Sequence, residues 1–285
     1  MIFPEPPDSF LEVRVHDLSC TPSICALCAG YEGGEWRAAH LADHAMEWLP
    51  EFCLSFDEIT SLSSSNALKL IRKAARLVYQ TDKYKNRGEF GELFLHIILR
   101  QVYGSIPAIQ KIYFKDSANS TVKGFDSVHV IERDGKFELW IGEVKFYSNA
   151  ARAIIEVIKE IVEHTAIDYI KNEKIFISNM LSQNHPFYSK LKRLLDQNTS
   201  IDDLFDCACI PILITYNSKV VKNHNKKDDE YSEKIEKEVL KIRNSLEKRL
   251  STVKLPPIQI HLFLLPLKDK DTLIEQMDKK LKGLQ

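Results

Sequence analysis

Asp126, Glu143 and Lys145 sit at the ends of two short apolar segments that a tight turn folds together. The segments are Gly124-Phe125-Asp126-Ser127-Val128-His129-Val130-Ile131-Glu132 and Phe137-Glu138-Leu139-Trp140-Ile141-Gly142-Glu143-Val144-Lys145, joined through Asp134-Gly135. Asp-Gly is a strong hairpin signal because both turn positions tolerate positive φ. A turn centred there sets Asp126 opposite Glu143, Val128 opposite Ile141 and Val130 opposite Leu139. Opposed residues have Cβ atoms about 4.5–5.5 Å apart, and Lys145, two residues on, shares the Glu143 face. Two carboxylates and a lysine at the end of an apolar row are costly unless charge is used there. The chemistry that uses such a set is phosphodiester hydrolysis: hard oxygens hold Mg²⁺ or Mn²⁺, with the Val144 carbonyl as an extra donor, and the ammonium orients water or offsets developing charge. The plainer reading is a partly buried salt bridge on a sheet edge, and an isolated Glu-x-Lys supports nothing more.

A further carboxylate lies upstream. Arg87-Gly88-Glu89-Phe90-Gly91-Glu92-Leu93 opens a helix expected to run to about Tyr103. Glu92, beside the small Gly91, is placed to reach the same metal. Glu89 reads equally well as a carboxylate stabilised by the helix dipole. Arg152 and Lys159, on the helix after Lys145, are the candidate nucleic-acid backbone contacts.

The elements that must position these groups follow from periodicity. Helices are expected from Trp36 to Leu49, from Asn66 to about Tyr79 and from Gly88 to about Tyr103. A strand spans Ile109 to Phe114, then the hairpin, then one long helix from about Ala150 to Ile170. Lys174 to Ser178 reads as a short strand and Pro186 to Leu195 as a helix. Cys209 to Thr215 and Ile258 to Leu265 read as buried strands, separated by a charged helix from Asp228 to Leu250, with Thr272 to Leu281 as a closing helix. Lys219 to Asp229 reads as a mobile polar loop. This order predicts an α/β fold with a mixed sheet flanked by helices, the central helix crossing one face to reach a strand near the hairpin.

Composition sets the class. The chain has 285 residues, 44% hydrophobic and 28% charged, as expected of a globular protein. No apolar run approaches the roughly 20 residues of a membrane span, and the start lacks a signal-peptide core, so a cytoplasmic protein with reduced cysteines is expected. The net charge of −1 hides a split: residues 1–65 hold only Arg14 and Arg37 as cations among many carboxylates, and the rest of the chain is basic. The division predicted is an acidic N-terminal lobe, 1–65, and an α/β domain with a C-terminal extension, 66–285. A basic body attracts nucleic acid, although uneven charge on solvated faces explains the split as well.

Cys25, Cys28, His40 and His44 approach a zinc-finger spacing, but the hairpin and apolar anchor such a finger needs are missing between the pairs. His129 falls on the face opposite Asp126 and reads as a packed strand residue. His164 reads as a helix-surface histidine in preference to a group reaching the site from above. Lys219, Lys222 and the stretch to Lys227 read as a solvated loop.

Gly88-Glu89-Phe90-Gly91-Glu92, Gly124-Phe125-Asp126 and Glu143-Val144-Lys145 resemble the motifs of the PD-(D/E)xK nuclease superfamily. That implies a restriction-endonuclease-like core over about residues 66–220, with Asp126, Glu143 and Lys145 catalytic, Glu92 the helix glutamate, and Phe125 where a proline is usual. Over nearly the whole chain, Gly30 to Arg37, Glu47 to Phe52, Arg87 to Glu92 and Ile260 to Leu267 resemble the HamA family, the nuclease subunit of the Hachiman anti-phage defence system. This resemblance implies a DNA nuclease restrained by a superfamily 2 helicase partner, HamB, and released when the helicase engages phage or damaged DNA. Two competing expectations are a non-catalytic adaptor of a helicase complex and an RNase using the same site.

Overall fold

In the computed structural model, residues 3–78, 88–110, 124–133 and 135–285 are described. The chain opens with strands β1 (Glu12–Asp17) and β2 (Ser23–Cys28), and a small ribbon of β3 (Tyr31–Glu32) and β4 (Glu35–Trp36). Helices α1 (Ala38–Glu47), α2 (Leu49–Cys53), α3 (Phe56–Thr60), α4 (Ala67–Val78) and α5 (Gly88–Tyr103) follow. Then come β5 (Ile106–Ile109), β6 (Ser127–Arg133) and β7 (Lys136–Phe146). Four helices, α6 (Ala150–His164), α7 (Ile167–Met180), α8 (Tyr188–Leu194) and α9 (Ile201–Cys207), lead to β8 (Ala208–Asn217). The chain closes with α10 (Lys219–Asn223), α11 (Asp229–Leu250), β9 (Gln259–Leu267) and α12 (Lys270–Gly283).

One seven-stranded sheet, ordered β1-β2-β9-β8-β7-β6-β5, organises these elements. Its centre, β2, β9, β8 and β7, is parallel, and antiparallel strands border it on both sides. Parallel strands are covered on both faces, which is why β8, Ala-Cys-Ile-Pro-Ile-Leu-Ile-Thr-Tyr-Asn, is buried along almost its whole length. Helix α5 covers β6, β7 and β8 on one face, while α6 crosses β7 and β8 on the other with α11 packed beyond it. The expected α/β architecture with a mixed sheet flanked by helices is therefore present.

The acidic N-terminal stretch enters this sheet through β2, whose partner is β9. One buried apolar cluster runs from Leu11 to Leu281. Glu51 of α2 is buried and accepts from Arg100 Nε of α5 at 2.5 Å, while Arg100 Nη1 donates to the Ser105 carbonyl at 2.7 Å. Among the described residues, no helix is long and apolar enough to cross a membrane.

Several elements differ from expectation. Lys174 to Ser178 is not a strand but part of α7. A strand would set Ile175 and Ile177 on one face, yet Ile170, Glu173, Lys174 and Ile177 are buried at helical spacing and Ile175 is exposed. The single helix from Ala150 to Ile170 is two, broken at Thr165 and Ala166, where Ala166 is extended at ψ 140°. The strand α6 leads toward is accordingly β8, which pairs parallel with β7. Lys219 to Asn223, expected as loop, forms α10 with Ser218 as its cap, the hydroxyl accepting from Val221 N at 3.1 Å. Strand β5 ends at Ile109 with Gln110 beyond it, and the rest of its expected span, Lys111 to Phe114, like Gln80 to Arg87, lies outside the described residues.

Candidate active site

The hairpin has the register that the Asp-Gly turn requires. Ser127 pairs with Gly142, Val128 with Ile141, Val130 with Leu139 and Arg133 with Lys136. Gly135 takes φ +75°, the left-handed value the turn needs, while Asp134 lies outside the described residues. The strand ladder ends at Ser127, and Asp126 continues the contact with both its backbone N–H and its side chain. Its N–H donates to the Gly142 carbonyl, and its Oδ2 accepts from Val144 N, both at 2.8 Å. The Asp126 carboxylate is thereby fixed on the backbone between Glu143 and Lys145.

Two glycines hold α5 against this part of β7. A Cβ on Gly91 would stand 2.6 Å from Val144 Cγ1 and 2.8 Å from Phe146 Cβ, closer than real atoms pack. A Cβ on Gly142 would meet Leu95 Cδ2 at 2.6 Å. With no side chain at these points, the helix lies directly on the strand, and Glu92 is brought to the hairpin end. Glu92 and Asp126 line one small crevice with Gln110 and His96.

The opposite face of β7 is polar. Glu143 and Lys145 are both buried. Glu143 Oε1 accepts from His164 Nδ1, and Lys145 Nζ pairs with Glu160 and lies 3.2 Å from the Val144 carbonyl. Burial works against the Lys145 charge, but the Glu160 carboxylate, with Asp126 and Glu143 nearby, raises its pKa above the ordinary value. Burial lowers the His164 pKa, which the surrounding carboxylates of Glu160, Asp126, Glu163 and Glu173 only partly offset. A neutral His164 in the Nδ1–H tautomer still donates to Glu143, so this contact is a hydrogen bond more than an ion pair.

His164 is therefore not a helix-surface histidine. Its ring stacks on Tyr169 at 4.3 Å and meets Phe125 edge-on at 5.2 Å. Phe125 is the wall that seats this imidazole. Glu160 and Tyr169 are the residues the sequence reading missed, and His164, weighed there as able to reach the site from above, is the one it set on the helix surface. A signal was present, because Ala153, Val157, Glu160 and His164 follow the helical spacing of one inward face. Assigning that face to the sheet also required knowing how α6 crosses it.

The other candidates fall elsewhere. Arg152 and Lys159 are exposed on α6, with Arg152 5.8 Å over the Tyr147 ring. His129 is buried between His96, at 3.2 Å, and Ser105 Oγ, at 2.8 Å. Cys25 and Cys28 are buried in β2, His44 accepts from Trp48 Nε1 at 3.1 Å, and His40 is exposed beside Glu32. Glu89 is half-buried in the first turn of α5.

The donor set suits a hard divalent cation in kind: the carboxylates of Asp126, Glu143 and Glu92 and the Val144 carbonyl are all oxygen. Among the described residues, no three His, Cys, Asp or Glu side chains converge closely enough to hold a metal ion by themselves. The strand ends bring two carboxylates and a carbonyl into one neighbourhood, and Glu143 is turned to His164.

Against known proteins, a search of curated sequences gives no match. A family model described as HamA matches residues 7–281, nearly the whole chain. That span takes in both the sheet extension formed by β1 and β2 and the hairpin with its Asp126, Glu143 and Lys145, so the chain belongs to the HamA family of the Hachiman anti-phage defence system.

Proposed function

We propose that this HamA chain is a metal-dependent DNA nuclease that hydrolyses phosphodiester bonds, restrained and loaded onto DNA by a superfamily 2 helicase partner, HamB. The observation that carries the reading is the Asp126 carboxylate bonded to Val144 N, between Glu143 and Lys145. Chance salt bridges have no reason to fix an acid on the backbone between a second acid and a lysine.

Asp126, Glu143, Glu92 and the Val144 carbonyl would hold the cation, Mg²⁺ or Mn²⁺. When bound, it supplies Lewis-acid polarisation of the phosphate and a more acidic water. The chain's own groups do the rest. The Lys145 ammonium, kept charged by Glu160, stabilises negative charge developing on the phosphate. Asp126, anchored by Val144 N–H, keeps its second oxygen in a fixed orientation. His164 holds Glu143 in one rotamer, and Phe125 and Tyr169 keep that imidazole from turning.

The test is cleavage by the purified protein, alone and with its helicase partner, on single- and double-stranded DNA and on RNA with Mg²⁺. DNA cutting that falls at least a hundredfold in Glu143→Ala and Lys145→Ala is the expected result. Full cutting and full defence in both variants overturns the assignment. Cutting of RNA alone makes the enzyme an RNase, and defence without any cutting makes the chain an adaptor.

A further inference from the structure

We infer that the outward face of α4 is a binding surface for the phosphate backbone of nucleic acid, separate from the hairpin site. This rests on the nuclease reading and names where the substrate strand is held. The helix reads Ala-Leu-Lys-Leu-Ile-Arg-Lys-Ala-Ala-Arg-Leu-Val, with Lys69, Arg72, Lys73 and Arg76 and no acidic residue. Leu70, Ala74, Ala75 and Val78 are buried on one side, and Lys69, Arg72 and Arg76 are exposed on the other. Lys73 pairs with Glu58 of α3. Among the described residues, Lys69, Arg72 and Arg76 form no ion pair with a carboxylate. They fall at i, i+3 and i+7, spanning roughly 10 Å of helix, about the axial rise of three phosphates on one strand.

Another long surface helix shows that this is a choice. On α11, Lys234, Lys237 and Arg243 each pair with a glutamate one turn away, Glu230, Glu233 and Glu247. Three of its cations are neutralised within the helix, and Lys69, Arg72 and Arg76 of α4 have no such partner. Like-signed neighbours at this spacing destabilise an isolated helix, a cost that a bound polyanion removes. The position also suits a substrate. Helix α4 packs on α2, and α2 contributes Phe52 to the crevice lined by Glu92 and Asp126.

The experiment compares the full chain, the triple variant Lys69→Gln, Arg72→Gln, Arg76→Gln, and a control removing as much charge from α11, Lys234→Gln, Lys237→Gln, Lys241→Gln. Glutamine preserves helix propensity, and circular dichroism checks the fold. Binding to a fluorescent 30-base-pair DNA duplex is titrated from about 50 to 200 mM salt without divalent metal, a range wide enough to give the salt slope. The α4 variant is expected to bind about tenfold or more weakly, with the log–log salt slope reduced by roughly 3, while the α11 variant stays close to wild type. Equal losses in both variants, an unchanged α4 variant, or no wild-type binding at all overturns the inference. An acidic protein segment as the true occupant gives one of the last two results. Glu143→Gln keeps the two readings apart. Wild-type cleavage lost in Glu143→Gln but kept in the α4 variant, with its salt slope unchanged, sinks the surface alone. Salt-dependent binding through α4 without cleavage under any condition sinks the nuclease reading alone.

Discussion

Strand β7 shows two faces built on opposite principles. Toward α5 it presents Gly142, Val144 and Phe146, and the helix is pressed against them because Gly91 carries no side chain. Toward α6 it presents Glu143 and Lys145, each held by a polar side chain, His164 and Glu160. The first face fixes where the backbone lies. The second fixes how the charges point. Packing tolerates no added atom on the α5 side, whereas hydrogen bonds on the α6 side exchange for others at modest cost. A site made this way separates the stability of its platform from the presentation of its charged groups.

The strongest attempt to break that comparison is Gly91→Val. Its side chain meets Val144 and Phe146, and the helix must move; the expected loss is on the order of 3 kcal/mol in urea unfolding, with the proposed cleavage lost as a consequence. A variant as stable as wild type would mean that α5 is not tightly set against β7. A smaller change belongs to the polar face. Glu160→Gln and His164→Phe are each expected to lower the proposed cleavage about tenfold while moving stability by no more than about 1 kcal/mol, since Glu160 is partly exposed and phenylalanine keeps the stack on Tyr169. Equal losses of stability on the two faces would remove the distinction.

The smallest effect is expected with acid. His261 stacks on Trp140, on the α5 side of β7, and burial pushes its pKa down from 6.5 to about 4. The unfolded chain therefore binds the proton first as pH falls. The stability this histidine contributes is complete above pH 6.5 and is lost between 6.5 and about 4. At about pH 5.5 the loss is on the order of 1 kcal/mol, and His261→Gln should flatten that part of the profile measured by denaturant unfolding.

What could be read before the structure was known divides along the same line. The hairpin register and the end-on meeting of Asp126 with the Glu143 strand followed from an Asp-Gly turn and a period of two, both local. Glu92 followed from a helix start beside a small residue. His164 and Glu160 did not, because their role depends on the angle at which α6 crosses the sheet. Nor did the union of the acidic N-terminal stretch with the sheet, because a parallel pair such as β2 with β9 joins segments more than two hundred residues apart. Lys174 to Ser178 misled because its aliphatics alternate, while burial obeys the helical period of the whole of α7.

Trp140 gives the site an optical use. The indole lies three residues before Glu143, in the same strand, with Tyr103 at 4.9 Å and the His261 ring at 4.8 Å. A neutral imidazole is a weak quencher and a protonated one a strong quencher, so its emission should stay bright and blue-shifted at neutral pH and respond when the strand shifts. With Trp36 and Trp48 replaced by phenylalanine, the remaining fluorescence would follow β7 as the proposed DNA substrate or helicase partner engages, without an attached dye.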